Sequence, residues 1–110
     1  MKKAFRIKKN EEFSKLISQK HSFAFNEYII YAAKRKEDKA RFGISVSKKI
    51  GKAYVRNKVK RQLRMMIQEE IDFYEYEYDI IVIVRQKYLE NNYLTNKKSL
   101  AKALKKVTII

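Results

Sequence analysis

The chain of 110 residues contains no cysteine and no proline, and it has only two glycines and one histidine. Without cysteine there is neither a disulfide framework nor a thiolate metal site. No apolar run approaches the roughly 18 residues that span a bilayer, and the N-terminal stretch "MKKAFRIKKNEEF" lacks the apolar segment of a signal peptide. We therefore expect a cytoplasmic protein without membrane contact.

Acidic residues are also scarce, because 12 Asp and Glu stand against 27 Lys and Arg, which gives a formal net charge of +15 at pH 7. Such a charge implies self-repulsion that a polyanion would relieve, so nucleic acid is the first candidate partner. The charge is uneven: ten basic residues and no acid lie between Lys39 and Gln68, whereas six of the 12 acids lie between Glu69 and Asp79. This asymmetry predicts a basic side of the molecule.

The apolar content suits a packed core, since 45% of the residues are hydrophobic and 13% are aromatic, and the length fits one domain over residues 1–110. Periodicity predicts helices at about 11–20, 53–71 and 95–107, and strands within 22–33, 40–47 and 78–85. Asn10 is a candidate N-cap of the first helix. The first two strands suggest an antiparallel hairpin, and the continuous apolar run "YDIIVIVR" suggests a strand buried on both faces.

The predicted helix at 53–71 has two faces of opposite character. At about 100° per residue, one arc contains the expected core-facing side chains Val55, Val59, Leu63, Met66 and Ile67. The adjacent arc contains Arg56, Lys60 and Arg64, flanked by Asn57, Arg61 and Gln68. The helix therefore combines a buried stripe with a basic stripe.

This basic stripe conflicts with the local rules of helix stability. Like charges four residues apart destabilise an isolated helix by about 0.2–0.5 kcal/mol per pair. Lys48, Lys49 and Lys52 add positive charge near the helix N-terminus, where the helix dipole is already positive. A solvated helix face is the ordinary alternative. The absence of interleaved acids and the presence of Asn57 and Gln68 favour contact with a nucleic acid.

The segment "FGISVSKKIGKAYVRNKVKRQLR" resembles the signature of the protein subunit of bacterial ribonuclease P, the ribonucleoprotein that removes 5′ leaders from precursor tRNA. The resemblance rests on Arg-Asn-x-x-Lys-Arg-x-x-Arg from Arg56 to Arg64, and on Ser-Val-Ser-Lys-Lys-x-Gly from Ser45 to Gly51. The segment "RIKKNEEF", a strand that ends at Tyr31 and the apolar strand at 80–84 extend it over essentially the whole chain.

The resemblance implies a two-layer α/β sandwich with a small mixed sheet. The implied element order is α-β-β-β-α-β-α, so the region 22–47 would hold three strands where the periodicity shows two. It also implies a left-handed β-α-β crossover, which the usual right-handed preference would not suggest.

The resemblance further implies a subunit without catalytic residues or a metal site of its own. In this family the RNA subunit hydrolyses the phosphodiester with Mg²⁺, while the protein binds that RNA and holds the single-stranded leader in a cleft against the sheet. The implied partners are the catalytic RNA and precursor tRNA, with no obligate protein partner.

Carried over by position, the resemblance assigns contact with the catalytic RNA to Lys48, Lys49, Lys52, Arg56, Asn57, Lys60, Arg61 and Arg64. It assigns the leader cleft to Phe13, Ile17, Tyr31, Ser45 and Ser47. Aromatic platforms beside a positive groove suit single-stranded RNA. Ile17 stands where the family commonly has an aromatic residue, which weakens stacking at that position.

Two other classes of function compete with this interpretation. A general RNA-binding or ribosomal protein needs the basic helix but no leader cleft. A metal-dependent nuclease that acts alone needs catalytic side chains, and the lone His21 has no Ser or carboxylate at a suitable spacing. The acidic cluster between Glu69 and Asp79 lacks the glycine-turned loop of a calcium site, so we expect it to be solvated.

Overall fold

The computed structural model describes residues 1–19 and 21–107. Its helices are α1 (Asn10–Ser18), α2 (Ala53–Glu70), α3 (Lys87–Glu90) and α4 (Tyr93–Lys106). Its strands are β1 (Ser22–Ala24), β2 (Tyr28–Lys34), β3 (Phe42–Ser45) and β4 (Tyr78–Val84), and single 3₁₀ turns occupy Lys3–Phe5 and Lys48–Ile50. The element order that the resemblance implies, α-β-β-β-α-β-α, is confirmed. The structure adds the four-residue helix α3 between β4 and α4.

The sheet has the strand order β1-β2-β4-β3. β4 lies antiparallel to β2 and parallel to β3, with Ile81 paired to both Tyr31 and Gly43. The predicted hairpin between the strands within 22–33 and 40–47 is therefore wrong, because β4 lies between β2 and β3. β4 is the most apolar strand, and its central position pairs both of its edges with neighbouring strands.

The larger core lies between one face of the sheet and the helices α2 and α4. Ile80, Val82 and Val84 of β4 point to this face, and all are buried. The predicted stripe of α2 packs against them, since Val59, Leu63, Met66 and Ile67 are buried and Val55 is half-buried. α4 adds its own buried side chains, Leu100, Ala103 and Leu104. The predicted two-layer arrangement of sheet and helices is confirmed.

The short helix α1 covers part of the opposite face of the sheet. Its Leu16 packs with Ile7, Ala33 and Ile81 in a second, smaller buried cluster. Glu12 on α1 pairs with Arg41 at 2.7 Å between Oε2 and Nη1, which ties the helix to the start of β3. The sheet is therefore fully covered on one face and only partly covered on the other.

Arg41 also contacts Asp79, which is 3% exposed. The backbone N–H of Arg41 donates to Oδ1 of Asp79 at 3.0 Å, and Nη2 lies 3.5 Å from Oδ2. Burial raises the pKa of the Asp79 carboxyl, while the bonds from Arg41 oppose that rise. The expectation of a solvated acidic cluster is thus wrong for Asp79, because the start of β4 carries it into the sheet.

The helix ends differ in part from the sequence predictions. Asn10 is the first residue of α1 and not its N-cap, since Lys9 holds that position and makes no side-chain capping bond. The predicted extension of this helix to residue 20 lies outside the described residues. α4 begins earlier than predicted because Asn92 caps it, accepting a bond from the backbone N–H of Thr95 at 2.9 Å. β3 and β4 are joined through α2, and the left-handed sense of that crossover stays a prediction.

Gly43 permits the close approach of α1 to the sheet. A Cβ at this position would lie 2.5 Å from Cζ of Phe13, so the aromatic ring rests directly on the backbone of β3. We predict that Gly43→Ala lowers the free energy of unfolding by about 1–3 kcal/mol, because the added methyl displaces the ring. Urea denaturation would measure this cost.

The combined variant Gly43→Ala with Phe13→Ala provides the control. Because the clash disappears with the ring, its cost should fall below the sum of the two single costs. Additive costs would show that the contact between Gly43 and Phe13 is not the source of the strain.

Candidate nucleic-acid interface

The basic stripe of α2 lies along the border between the core and solvent. Arg56, Lys60 and Arg64 are half-buried, while Asn57 and Arg61 beside them are exposed. Nε of Arg56 is buried and has no hydrogen-bond partner among the described residues. Because a buried donor without a partner is costly, this guanidinium has unused capacity to bind an anion.

The segment between β3 and α2 holds the three predicted lysines at the helix N-terminus. The buried side chain of Ile50 anchors the 3₁₀ turn Lys48–Ile50, and Gln86 donates its amide to the carbonyl of Lys49 at 3.3 Å. Lys48, Lys49 and Lys52 are exposed. The sequence-predicted RNA-contacting residues thus form a surface that continues from this turn along α2, and we call it the basic face.

One groove, with a volume of about 260 Å³, lies between the basic face and α1. Met1, Arg6, Ile7, Lys8, Phe13, Phe42, Ile44 and Arg64 line it. Arg64 was assigned to the RNA and Phe13 to the leader, yet the fold places both on this one groove. The two predicted sites are therefore neighbours along the edge of the sheet.

Arg6 and Lys8 are candidate RNA contacts that sequence reasoning missed. The N-terminal segment runs beside β3, where Arg6 bridges to Phe42 and the N–H of Ile7 donates to the carbonyl of Phe42 at 3.0 Å. Arg6 donates from Nη2 to the carbonyl of Met1 at 2.7 Å. The basic run in "RIKKNEEF" was the available signal, but nothing local places it beside α2.

Like charges meet in this groove. Burial, and then the positive charge of Arg6, lower the pKa of the Arg64 guanidinium below its ordinary value. Arginine stays charged at neutral pH despite such shifts, so the repulsion persists in the free protein. An anion in the groove would relieve it.

The predicted cleft residues gather on the face of the sheet that α1 partly covers. Phe13, Ile17, Tyr31 and Ile83 are half-buried around the smaller cluster. In the sheet, Tyr31 pairs with Ile81, which pairs with Gly43 beneath the ring of Phe13. Tyr31 and Gly43, the residue beneath the ring of Phe13, are therefore two strand spacings apart, about 10 Å, and lie on the same face of the sheet.

The next row of the sheet is more open. It contains Ile29, Ile83 and Ser45, which are half-buried. Ser45 thus lies on the predicted face, beside the aromatic residues. Ser47 is exposed but lies beyond the end of β3, so the strand register does not place it on this face.

The remaining candidates offer no chemistry of their own. His21 is exposed just before β1. No group of three or more His, Asp or Glu side chains within 1–19 and 21–107 is placed to hold a metal ion. None of the helices in the described part of the chain combines the length and the apolar character that a bilayer span needs.

Comparison with known proteins gives a consistent result. The family model for ribonuclease P matches residues 1–108. The ribonuclease P protein component of Mesoplasma florum is 44% identical over 97 residues, which cover 87% of this chain and 88% of the relative. That of Geobacillus kaustophilus is 45% identical over 107 residues, which cover 96% of this chain and 88% of the relative.

Solved structures agree with these sequence matches. The ribonuclease P protein of Staphylococcus aureus superposes with a TM-score of 0.82 at 40% identity, covering 96% of this chain and 98% of that one. That of Thermotoga maritima gives a TM-score of 0.82 at 27% identity, covering 94% of this chain and 98% of that one.

We predict that replacing Arg56, Lys60 and Arg64 together by Ala weakens RNA binding and flattens its salt dependence. Loss of three phosphate contacts should reduce the slope of log affinity against log salt by about 2–3. A filter-binding series at several salt concentrations would measure both quantities.

The matched control is the replacement of Lys102, Lys105 and Lys106, three exposed cations near the end of α4, by Ala. This variant removes the same amount of charge from another helix, so the slope of log affinity against log salt should change less than in the α2 variant. Equal slopes for the two triple variants would mean that net charge alone, and not the basic face, binds the RNA.

Proposed function

Because the chain belongs to the ribonuclease P protein family, we propose that it binds the catalytic RNA through the basic face and the 5′ leader of precursor tRNA through the cleft beside α1. In this role it promotes endonucleolytic removal of the leader and so gives the mature 5′ end of the tRNA. Residues 1–110 would form one RNA-binding domain, and the protein would act in the cytoplasm.

The observation that carries the proposal is the groove shared by Arg64 and Phe13. Two surfaces with different chemistry meet there, one with cations for structured RNA and one with aromatic rings for unpaired bases. A strand leaving a folded RNA on the basic face would reach the aromatic residues without a gap. This adjacency favours a protein that holds RNA and single-stranded leader at once.

The chemistry of the reaction belongs, in this proposal, to the RNA subunit. Hydrolysis in the family depends on Mg²⁺, a hard cation that prefers carboxylate, phosphate and water oxygens. The described residues do not supply a cluster of carboxylates for it, so we assign the metal sites to the RNA. The positive charge of the protein would lessen repulsion between the RNA subunit and its RNA substrate.

Phe13 and Tyr31 would supply most of the leader contact. Both are half-buried and pack against the smaller cluster, so the fold holds part of each ring while the rest stays exposed. Ile17, an aliphatic residue, adds contact area but no aromatic face. Ser45 would donate a hydrogen bond to the leader from the sheet face, and Ser47 would do so from the segment that follows β3.

We predict that the protein increases the affinity of the RNA subunit for precursor tRNA more than for mature tRNA. Only the precursor carries a leader, and stacking is worth about 1–3 kcal/mol per base. Dissociation constants of both tRNAs, measured with and without protein, would give the two factors. If the protein increased the affinity for both tRNAs by the same factor, that result would rule out a leader site and favour a general RNA-binding protein.

Phe13→Ala is the variant for this experiment, with Ile17→Ala as the aliphatic control on the same helix. The first should lower the preference for precursor tRNA about tenfold or more, and the second should lower it less. Cleavage assays of the protein alone complete the test, because activity without the RNA subunit would instead support a nuclease that acts by itself.

A further inference from the structure

A second groove, with a volume of about 240 Å³, lies on the flank of α2 away from Arg56, Lys60 and Arg64. Its lining comes from α2, α3, α4 and the residues between them: Tyr54, Val55, Lys58, Val59, Gln62, Tyr88, Leu89, Asn91, Tyr93 and Asn96. No acidic side chain of the described residues belongs to this lining. We call it the tyrosine groove.

The floor of the tyrosine groove is held in place by hydrogen bonds. The hydroxyl of Tyr88 donates to Oε1 of Gln62 at 2.8 Å, and the side chain of Asn96 donates to the carbonyl of Tyr88 at 2.9 Å. The amide nitrogen of Asn91 donates to Oε2 of the buried Glu27 at 3.0 Å and to Oδ1 of Asn96 at 3.2 Å. These bonds fix a surface that presents both aromatic and amide groups.

The rim of the tyrosine groove is unusually exposed for its composition. Tyr54 is 72% exposed and Leu89 is 47% exposed, so a ring and an aliphatic side chain are open to a ligand side by side at the groove. The hydroxyl of Tyr93 is buried and has no hydrogen-bond partner among the described residues. A ligand in the groove could stack on the exposed ring of Tyr54 and form a hydrogen bond with the hydroxyl of Tyr93.

We propose that the tyrosine groove takes an unpaired base of the RNA that lies on the basic face. Tyr54 would stack on the base, Nε2 of Gln62 and Oδ1 of Asn91 would meet its polar edge, and Lys58 would meet the adjoining phosphate. The inference rests on the proposed function, because it needs the catalytic RNA to lie along α2.

Charge and position favour a base over a protein segment. Lys58 is the charged residue of the lining, and the exposed Arg61 on the same helix leads from the groove to the basic face. A polyanion already bound along α2 would therefore be close to Tyr54. Pockets for drug-sized ligands have volumes of about 300–1,000 Å³. The tyrosine groove is smaller, so its size suits a single planar ring system.

The test compares Tyr54→Ala with Tyr54→Phe in binding of the full protein to ribonuclease P RNA over a salt series. Tyr54→Ala should weaken binding about tenfold, because a stacked base is lost, and it should leave the slope against log salt unchanged. Tyr54→Phe keeps the ring and should bind within about twofold of the unaltered protein.

Tyr74→Ala is the matched control. Tyr74 is 59% exposed and lies within the acidic cluster between Glu69 and Asp79, so its loss should leave RNA affinity unchanged. Circular dichroism of each variant would verify the fold. An equal loss for Tyr54→Ala and Tyr74→Ala would overturn the proposal.

Tyr93→Phe tests the buried hydroxyl. Because this group has no partner among the described residues of the free protein, its removal should not lower the midpoint of urea unfolding. Binding to the RNA should weaken roughly fivefold, as for the loss of one hydrogen bond. Unchanged binding by both Tyr93→Phe and Tyr54→Ala would overturn the assignment of a base to the groove.

Two further outcomes separate the inference from its premise. If the triple Ala variant of Arg56, Lys60 and Arg64 loses affinity while Tyr54→Ala does not, the tyrosine groove fails and the proposed function stands. If neither variant loses affinity, the proposed function itself fails. Self-association that disappears in Tyr54→Ala, with RNA affinity unchanged, would assign the groove to a second copy of the chain instead.

Discussion

The burial of β4 between two strands and two layers of helix is the constraint on which the other features depend. Ile80, Val82 and Val84 hold α2 and α4 on one face, and Ile81 holds α1 on the other. Because α2 must turn its apolar stripe to that strand, its cations are directed away from the core. Because α1 is short, the second face of the sheet stays partly open. The positions of both proposed RNA surfaces thus follow from the packing of helices that buries β4.

The parts of the fold that depend on local periodicity could be predicted from the sequence. The faces of α2 repeat every 3.6 residues, and four of the five side chains predicted to face the core are buried while Val55 is half-buried. The pairing of strands could not be predicted in this way. The alternation of apolar and polar residues predicts which face a side chain is on, but it does not predict which strand lies alongside. Because β2 and β3 are neighbours in sequence, a hairpin between them was predicted, whereas each of them pairs with β4.

The candidate site shows the same division. Family resemblance supplied positions for both surfaces, but not their meeting at the groove of Arg64 and Phe13. That meeting depends on the N-terminal segment running beside β3, and it brings in Arg6 and Lys8. The burial of Asp79 was also beyond local reasoning, since a carboxylate within an acidic run is normally solvated. Long-range contacts decided each of these features.

The contact between Phe13 and Gly43 has a consequence for how tightly an unpaired base can be held. A ring that rests on bare backbone has few rotamers open to it, so it has little conformational entropy left to lose when a base stacks on it. An exposed aromatic on a flexible segment would lose part of its stacking energy to ordering. In the proposed leader site, the missing side chain at position 43 would therefore pre-organise the ring of Phe13, and less of the stacking energy would be lost to ordering when a base binds.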